Sequence, residues 1–405
     1  MKLKFLLSGF MAASTLASVA QDGNKAYAIT GKSGNSFNWT DIREIDLSTG
    51  KVVNTLFEDG VTKFSYSNST NKNSGALATS PTGNMVAAAA YDKKHGKLFF
   101  APMRNGELTW LDVSAKIGER KFYTEGRLLV NNLNLNDEAN NFTRMVISAD
   151  GNGYAITNDA NHLVQFTTGK KMVVTDLGNL VDDATNKGMS VHNKCSSWGG
   201  DMVADAYGKL YLFTASHNVF KVDVDTRIAT LIGSITGLTG TYTVNGAAVD
   251  NEDNVVISSA NSFEGFYKVN MKDLSATKLI TPGQVFNASD LANGNLLFTN
   301  QMKNTLGSAS LPQIEIVGND LISVYPNPIS GTDFKVTFDK QTAGIYNLVL
   351  TDAQGRLMMT KQVFLKSSNQ VEPMHLKSRP SAGIYLIKIT DANKKAIYSD
   401  KLVFN

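Results

Sequence analysis

Residues 144–158 read RMVISADGNGYAITN, and this stretch decides the fold of the larger part of the chain. It has an apolar segment, an aspartate, a short turn with glycine and asparagine, and a second apolar segment. The pattern predicts a β-hairpin, because glycine and asparagine adopt the backbone angles of tight turns. The same pattern recurs at residues 85–102, 201–215, 245–259 and 287–300. Such recurrence indicates a protein built from one repeated unit.

Each turn of the repeat begins with a short polar residue whose side chain can accept a hydrogen bond from the backbone ahead of it. We therefore predict a structural role, rather than catalysis, for Asp92, Asp150, Asp205, Asp250 and Asn293. Third and fourth apolar strands follow most hairpins, as in HLVQFTTGK at 162–170 and MVVTDL at 172–177. Repeated four-stranded antiparallel units are typical of the blades of a β-propeller.

The number of blades is predicted from the second strand of each unit. Six blades are favoured, with five or seven as alternatives, because the first and last units are incomplete. Pieces from the two ends of a propeller often combine in one blade. The second strands are marked by Tyr27, Leu98, Tyr154, Leu210, Val255 and Leu296. The predicted fold class is all-β, with a β-propeller over residues 21–300 followed by a small Ig-like β-sandwich.

The composition agrees with a folded globular protein. Apolar residues make up 42% of the 405 residues and charged residues 19%, which is ordinary for a globular chain. The net charge of +3 comes without a concentrated basic face, so we expect no binding of nucleic acid. The chain has a single cysteine, Cys195, and an internal disulfide is therefore impossible.

The first twenty residues have the pattern of a secretory signal peptide. Lys2 and Lys4 precede the apolar stretch FLLSGFMAASTLA, and small residues then predict cleavage between Ala20 and Gln21. A buried N-terminal helix is the alternative. The apolar run is too short to span a membrane, and no later run reaches about 18 apolar residues, so no transmembrane segment is predicted.

The long connections of the predicted propeller are the expected ligand-binding surface. Connections between second and third strands, and from each blade to the next, lie on one face of a propeller. Four unusual loops at these places contain Trp39, His192, Trp198 and Tyr242 among asparagine, serine and glycine. Aromatic platforms with amide and hydroxyl groups suit a glycan or peptide. The alternative is that these side chains only hold long loops in place.

The sequence lacks the usual signatures of catalysis. No Gly-x-Ser-x-Gly elbow is present, and His192 with Cys195 would need two further ligands to bind zinc. We predict neither a metal nor a cofactor. Arg144 and Asp201 stand near the starts of inner strands, where they are expected to line the central channel. These observations favour a propeller that binds a ligand without catalysis; the alternative is a secreted hydrolase or lyase acting on a polysaccharide or a lactone.

The last part of the chain is predicted to be a separate module. Residues 301–320 have a mixed composition typical of a linker, and residues 321–405 contain seven short strands, which predict a small β-sandwich. In the stretch YPNP, Pro326 and Pro328 cannot donate to a strand ladder. This stretch therefore suits an edge strand that enters a turn.

Four motifs in this module resemble the type A C-terminal sorting domain of the type IX secretion system of Bacteroidota. They are YPNP at 325–328, GIYNLVLTDAQGR at 344–356, AGIYLIKIT at 382–390 and KLVFN at 401–405. An ordinary Ig-like adhesion module is the alternative. The residues of this chain that match the sorting motifs are Tyr325, Pro326, Asn327, Pro328, Gly344, Tyr346, Gly383, Tyr385 and Lys401.

The resemblance implies a route and a partner. It implies export through the inner membrane by the signal peptide, and then passage across the outer membrane by the type IX secretion machinery. In that family the sorting domain is usually removed, and the cargo is released or attached to surface lipopolysaccharide. The expected location is therefore the medium or the outer-membrane cell surface, reached through the periplasm.

Overall fold

The computed structural model is almost entirely β-structure and has two compact units, one within residues 24–299 and one within 321–405. The single α-helix in the described part of the chain is α1 (Lys194–Ser197). The predicted signal peptide, with its cleavage site, and the predicted linker lie outside the described residues. The structure describes residues 24–32, 36–68, 74–75, 80–116, 119–169, 172–299, 321–352, 357–376, 379–381, 383–392 and 395–405.

The first unit consists of short strands with two 3-10 segments, Glu138–Asn140 and Ala184–Asn186. In chain order its strands are β1 (Lys25–Thr30), β2 (Asp41–Asp46), β3 (Val52–Phe57), β4 (Ser65–Asn68), β5 (Ser74–Gly75), β6 (Val86–Asp92), β7 (Lys97–Pro102), β8 (Glu107–Asp112), β9 (Lys121–Leu128), β10 (Phe142–Ile147), β11 (Gly153–Thr157), β12 (Leu163–Phe166), β13 (Val174–Gly178), β14 (Val181–Asp182), β15 (Asp201–Ala204), β16 (Leu210–Phe213), β17 (Asn218–Val222), β18 (Ile228–Ser234), β19 (Gly246–Val249), β20 (Val255–Ser258), β21 (Tyr267–Val269), β22 (Ala276–Lys278) and β23 (Ala288–Ala292).

These strands form five sheets, which we call blades I to V. From the inner to the outer strand, blade I is β23-β1-β2-β3, blade II β6-β7-β8-β9, blade III β10-β11-β12-β13, blade IV β15-β16-β17-β18 and blade V β19-β20-β21-β22. The short strands β4 and β5 extend blade II, and β14 extends blade IV. The inner strands contact one another in the cyclic order β23, β6, β10, β15, β19 and back to β23. The described residues of this unit therefore form a closed β-propeller, as the repeats predicted.

The prediction of six blades is not matched, because the described residues form five. Strand β1 pairs with β2 on one side and with β23 on the other, so the first and last repeats share one blade. The marker Tyr27 does lie in a second strand, but Leu296 does not. The chain after β23 turns away instead, and Leu297 forms an isolated bridge with Asp205 of blade IV.

Apolar clusters fill each of the five interfaces between neighbouring blades. In β6, Ala89 packs into the interface with blade I, whereas Ala88 and Ala90 pack into the interface with blade III. Both faces of an inner strand are thus buried. This explains why the inner strands β15 and β19 are buried at every position and do not alternate between buried and exposed residues.

The predicted structural role of the five turn residues is confirmed. In each case the side-chain oxygen accepts a hydrogen bond from the backbone N–H two residues ahead. The donors to Asp92, Asp150, Asp205, Asp250 and Asn293 are the amides of Lys94, Asn152, Tyr207, Glu252 and Asn295. In blades II to V these bonds fix the turn of the inner hairpin, and in blade I the bond to Asn293 fixes the turn by which the chain leaves β23.

The second unit is a β-sandwich of seven strands, as predicted. Its sheets have the orders β24-β25-β28 and β27-β26-β29-β30, and they share one apolar core. Its YPNP stretch follows β24, which is an edge strand, as the prolines indicated. The strands are β24 (Ile322–Tyr325), β25 (Asp333–Phe338), β26 (Gly344–Asp352), β27 (Leu357–Leu365), β28 (Gln370–His375), β29 (Gly383–Thr390) and β30 (Ala396–Phe404).

Candidate functional site

The topology brings the long connections of the propeller to one face, which we call the long-loop face. It consists of the connections between the second and third strands of each blade and those from each outer strand to the next inner strand. Trp39, His192, Trp198 and Tyr242 all belong to such connections. The structure does not gather them into one cluster, because each is held by different backbone groups.

Tyr242 is a buried structural residue. Its side chain is 1% exposed, and its hydroxyl donates to the carbonyl oxygens of Ile257 and Gly265 at 3.1 and 3.0 Å. Burial raises the pKa of this phenol well above 10.0. Its ring is therefore not available to a ligand at the surface, contrary to the sequence-based expectation.

His192 and Trp198 lie together in the connection from blade III to blade IV. The ring nitrogens Nδ1 and Nε2 of His192 lie 2.7 and 3.0 Å from the carbonyl oxygens of Asp159 and Leu180. The indole Nε1 of Trp198 donates to the carbonyl of His192 at 3.0 Å. These bonds fix the loop, which is the alternative role that the sequence left open.

Trp39 is half-buried on another part of the face. Its indole Nε1 donates to the carbonyl oxygen of Ala260, in blade V, at 3.1 Å. The side-chain amide of Asn287 donates to the same carbonyl at 2.7 Å. Trp39 thereby joins the long loop of blade I to the neighbouring blade.

An aromatic pair that the sequence did not single out lies on the same side of the face. Phe37 is 51% exposed, and its ring centroid lies 5.6 Å from that of Phe263 in an edge-to-face arrangement. We call Phe37, Trp39 and Phe263 the aromatic cluster. Phe37 belongs to the loop that drew attention to Trp39, but Phe263 lies in a connection of ordinary length and gave no signal.

Polar groups from blade V accompany the aromatic cluster. The exposed Asn261 donates from its side-chain amide to the hydroxyl of Thr243 at 3.4 Å. The Thr243 hydroxyl donates to the side-chain oxygen of Asn245 at 2.7 Å. An exposed aromatic ring, its half-buried partner and an exposed amide are thus present on neighbouring connections. This combination suits a ligand with apolar faces and hydroxyl or amide groups.

The axis of the propeller holds a buried pair of carboxyl groups, Asp201 and Asp290, each 0% exposed. Oxygens of Asp201 accept hydrogen bonds from the backbone amides of Met202 and Ala247, both at 2.7 Å, and of Leu291 at 3.4 Å. Asp290 has fewer such donors: the backbone amide of Ala89 acts on it, and its side chain bonds that of Asp201. Burial raises the pKa of both carboxyls well above 3.8, and the charge of Asp201 raises that of Asp290 further.

Arg144 is the fully buried cation near this pair. Its guanidinium donates to backbone carbonyls of Thr157, at 3.2 Å, and Gly199, at 2.7 Å, and to that of Ser197. Burial lowers its pKa to about 10, while Asp201 and Asp159 act in the opposite direction. Arg144 and Asp201 do line the axis, but both are 0% exposed, so these ionisable groups are covered rather than presented to a substrate.

The described residues contain no group of three or more histidine, cysteine, aspartate or glutamate side chains placed to hold a metal ion. None of their helices has the length and apolarity needed to cross a membrane.

In the second unit, Asn327 ties the YPNP turn to the last strand. Its side-chain amide donates to the carbonyl of Lys401 at 2.8 Å, and its oxygen accepts from the amide of Val403 at 2.9 Å. The amide therefore occupies the place of a paired strand along the edge of β30. Both proline peptide bonds of the turn, at Pro326 and Pro328, are cis.

The two Gly-Ile-Tyr motifs make the same contact. The hydroxyl of Tyr346 donates to the carbonyl of Thr342 at 2.8 Å, and that of Tyr385 donates to the carbonyl of Ser381 at 2.9 Å. Each tyrosine follows its glycine, Gly344 or Gly383, by two residues and bonds the backbone four residues upstream, so each closes a corner before its strand.

The remaining sorting-motif residues are on the surface or at the end of the core. Tyr325 is 43% exposed, and the side chain of Lys401 is exposed. The ring of Tyr385 packs edge-to-face on Phe404, with centroids 4.9 Å apart. The motifs of the turn, the two corners and the last strand thus meet on the sheet that contains β29 and β30.

Comparison with known families identifies this unit. Residues 323–405 match the family described as "Secretion system C-terminal sorting domain". No curated protein matches the chain.

Solved structures give only distant similarities. PorZ, a surface component of the type-IX secretion system of Porphyromonas gingivalis, is 15% identical, with a TM-score of 0.31; the match covers 93% of this chain but only 53% of PorZ, about half its length. A virginiamycin B lyase from Staphylococcus aureus is 12% identical over 94% of this chain and 95% of its own, with a TM-score of 0.33. The β-propeller domain of Cps50 (Swd1) from Myceliophteria thermophila is 12% identical over 67% of this chain and 91% of its own, with a TM-score of 0.34.

These three similarities carry no argument about ligand or activity, because their TM-scores are below 0.5. The family match, by contrast, covers the whole of the sandwich and includes the motifs whose contacts are described above. Residues 323–405 are therefore a secretion system C-terminal sorting domain, and such a domain implies export by the type IX secretion system.

Proposed function

We propose that the chain is a type IX secretion cargo of a Bacteroidota cell, and that after export its propeller binds a glycan, peptide or protein ligand through the long-loop face. The predicted signal peptide and the sorting domain support the two steps of export. The observation that carries the binding function is the exposed ring of Phe37 packed on the half-buried Phe263, beside the polar groups of blade V.

The aromatic cluster has the chemistry of a binding platform. Exposed aromatic rings offer a large apolar surface with few rotatable bonds, and such residues dominate the energy of many interfaces. Asn261 supplies an exposed donor and acceptor on the adjoining connection. His192 and Trp198 hold the loop between blades III and IV, and we assign them a supporting role in shaping the face.

The test begins by screening the mature protein on an array of glycans and peptides. The affinity for the best hit is then measured for the wild type and for the variant with Phe37→Ala and Phe263→Ala. We expect the double variant to bind at least about tenfold more weakly, because a change of about 1.4 kcal/mol in binding free energy is tenfold in affinity.

The matched control is Tyr207→Ala. Tyr207 is 57% exposed but lies between the first and second strands of blade IV, on the face opposite to the long loops. Its replacement should leave the affinity unchanged. Equal loss in both variants, or full affinity in the Phe37/Phe263 variant, would contradict the proposed site, provided that thermal unfolding shows both variants to be folded.

A further inference from the structure

A second recess on the long-loop face has a different chemistry from the aromatic cluster. It is a groove of about 460 Å³ formed by blade II and the connection that leads to it from blade I. This volume lies within the range of about 300–1,000 Å³ of ligand-binding pockets. We call it the acid-lined groove and define it by Asp59, Tyr66, Pro81, Pro102 and Glu107.

The charged groups of the acid-lined groove are both acidic. Asp59 and Glu107 line it, while lysine and arginine are not among the described residues that do so. Outside the lining, Lys32 lies with its Nζ 3.3 Å from a carboxylate oxygen of Asp59, and the two side chains are 43% and 20% exposed. A cation in the groove therefore competes with Lys32 for Asp59, whereas Glu107 has no such cationic partner among the described residues.

The surrounding structure holds the carboxylate of Glu107 and the backbone of Asp59. The hydroxyl of Thr124, on β9, donates to Glu107 Oε1, and the backbone amide of Asp59 donates to a carboxylate oxygen of Asp41 at 3.0 Å. Burial, followed by the charge of Glu107, raises the pKa of Tyr66 to about 12, so its phenol stays neutral beside the carboxylate.

The rest of the lining mixes apolar and polar groups. Pro81 and Pro102 are buried and Tyr66 is half-buried on β4, and hydroxyl or amide side chains are added by Ser80, Asn84, Asn105 and Thr109. A ligand that matches this lining has a cationic end on an aliphatic stem, next to groups that form hydrogen bonds. Lysine has this form, since its methylene chain packs on apolar surface while its ammonium group makes charge-assisted hydrogen bonds with carboxylates.

We propose that the acid-lined groove binds a lysine side chain of a protein or peptide partner. The ammonium group lies between Asp59 and Glu107, with the Tyr66 hydroxyl as an additional acceptor, and the stem packs on the two prolines. Different residues form this site and the aromatic cluster, so each can be tested without the other.

The test uses the mature full chain and two labelled peptides. One is acetyl-Gly-Lys-Gly-Lys-Gly-amide, and the other is the same peptide with both lysines acetylated at Nζ. Fluorescence anisotropy should show saturable binding of the first peptide and at least tenfold weaker binding of the second. The affinity for the first peptide should also fall as salt is raised from about 50 to about 500 mM, a range that changes the Debye length roughly threefold.

Variants assign the binding to the groove. Glu107→Gln should lower the affinity for the lysine peptide about tenfold or more, as expected for the loss of one charge-assisted hydrogen bond. The matched control Glu252→Gln removes an exposed glutamate that pairs with Lys268 on the opposite face, and it should leave binding unchanged. Asp59→Asn replaces Glu107→Gln if the loss of the Thr124 contact prevents folding.

Three results would overturn the proposal. They are equal binding of the acetylated and unmodified peptides, equal weakening by the groove and control variants, and the absence of saturable binding of the lysine peptide. Chitosan tetramer forms a further arm; binding of this amino sugar without binding of the peptide would also overturn the assignment to lysine.

Discussion

The two adjacent carboxyl groups at the propeller axis, Asp201 and Asp290, differ in how many hydrogen-bond donors stabilise their charged forms. Asp201 accepts three backbone hydrogen bonds, which favour its charged form, whereas at Asp290 only the backbone amide of Ala89 acts in this direction. Two buried carboxylates side by side would repel each other. We therefore assign the proton to Asp290, which donates to Asp201, while Arg144 balances the remaining charge.

This assignment predicts how stability depends on pH. Since burial raises the folded-state pKa of both carboxyls above 3.8, the unfolded chain loses these protons first as the pH rises. The contribution of the pair to the free energy of unfolding is thus complete below about pH 4 and is lost as the pH rises through the folded-state pKa. Asp290→Asn keeps a donor toward Asp201 at every pH. We expect this variant to exceed the wild type by about 1–3 kcal/mol in urea unfolding at pH 9, with little difference at pH 5.

The control is the same substitution at the neighbouring carboxyl. Asp201→Asn places an NH2 group against a backbone N–H, because both oxygens of Asp201 are acceptors. We expect a loss of about 1–3 kcal/mol at all pH values. The same sign of effect in both variants at pH 9 would contradict the assignment of the proton.

Among the elements of the sorting domain, the last strand β30 depends on a turn far away in sequence. Asn327 bonds the backbone of Lys401 and Val403, and the amide of Ile329 donates to the carbonyl of Val403 at 2.7 Å. The prolines indicated an edge position from sequence alone. The hydrogen bonds between the turn and β30 could not be predicted, because the residues of YPNP do not indicate which distant strand they contact.

Asn327→Ala should loosen the end of β30. Two net hydrogen bonds are lost, each worth about 0.5–1.5 kcal/mol, and the edge of the strand becomes exposed to water. Hydrogen exchange followed by mass spectrometry should show faster exchange in the peptide that contains residues 401–405, with the propeller peptides unchanged. Asn347→Ala is the control, since Asn347 lies on the outer side of β26 and accepts a bond only from the side chain of Gln362. Unchanged exchange at 401–405 in Asn327→Ala would contradict this role.

For the whole molecule, the repeats predicted the propeller, but the favoured number of blades, six, was one more than the five that the described residues form. The hairpin pattern is local and therefore readable, whereas the pairing of β1 with β23 joins segments at opposite ends of the unit. The aromatic residues show the same limit. Tyr242 and Phe37 both stand in polar loops, yet one is buried and the other exposed, because exposure depends on which neighbouring blade covers the loop.

The pairing of β1 with β23 closes the ring, and we call this pairing the seam. We predict that a substitution that weakens the seam destabilises all the blades of the propeller. Ala28, which is fully buried, pairs with Leu291 of β23 on one side and with Arg43 of β2 on the other. Ala28→Pro removes a ladder donor inside the sheet and leaves a buried carbonyl without its partner, which should cost about 1–3 kcal/mol. Because each inner strand is held by its two neighbours in the cycle, we expect faster hydrogen exchange in the inner strands of all five blades.

A proline outside the seam is the comparison. Thr277→Pro lies in β22, the outermost strand of blade V, where an edge strand tolerates proline better. Its effect on hydrogen exchange should remain within β21 and β22. If exchange in Ala28→Pro increases only in blade I, each blade is stable by itself and closure contributes little. If it increases around the ring, the pairing of the two ends is what makes the propeller one cooperative unit.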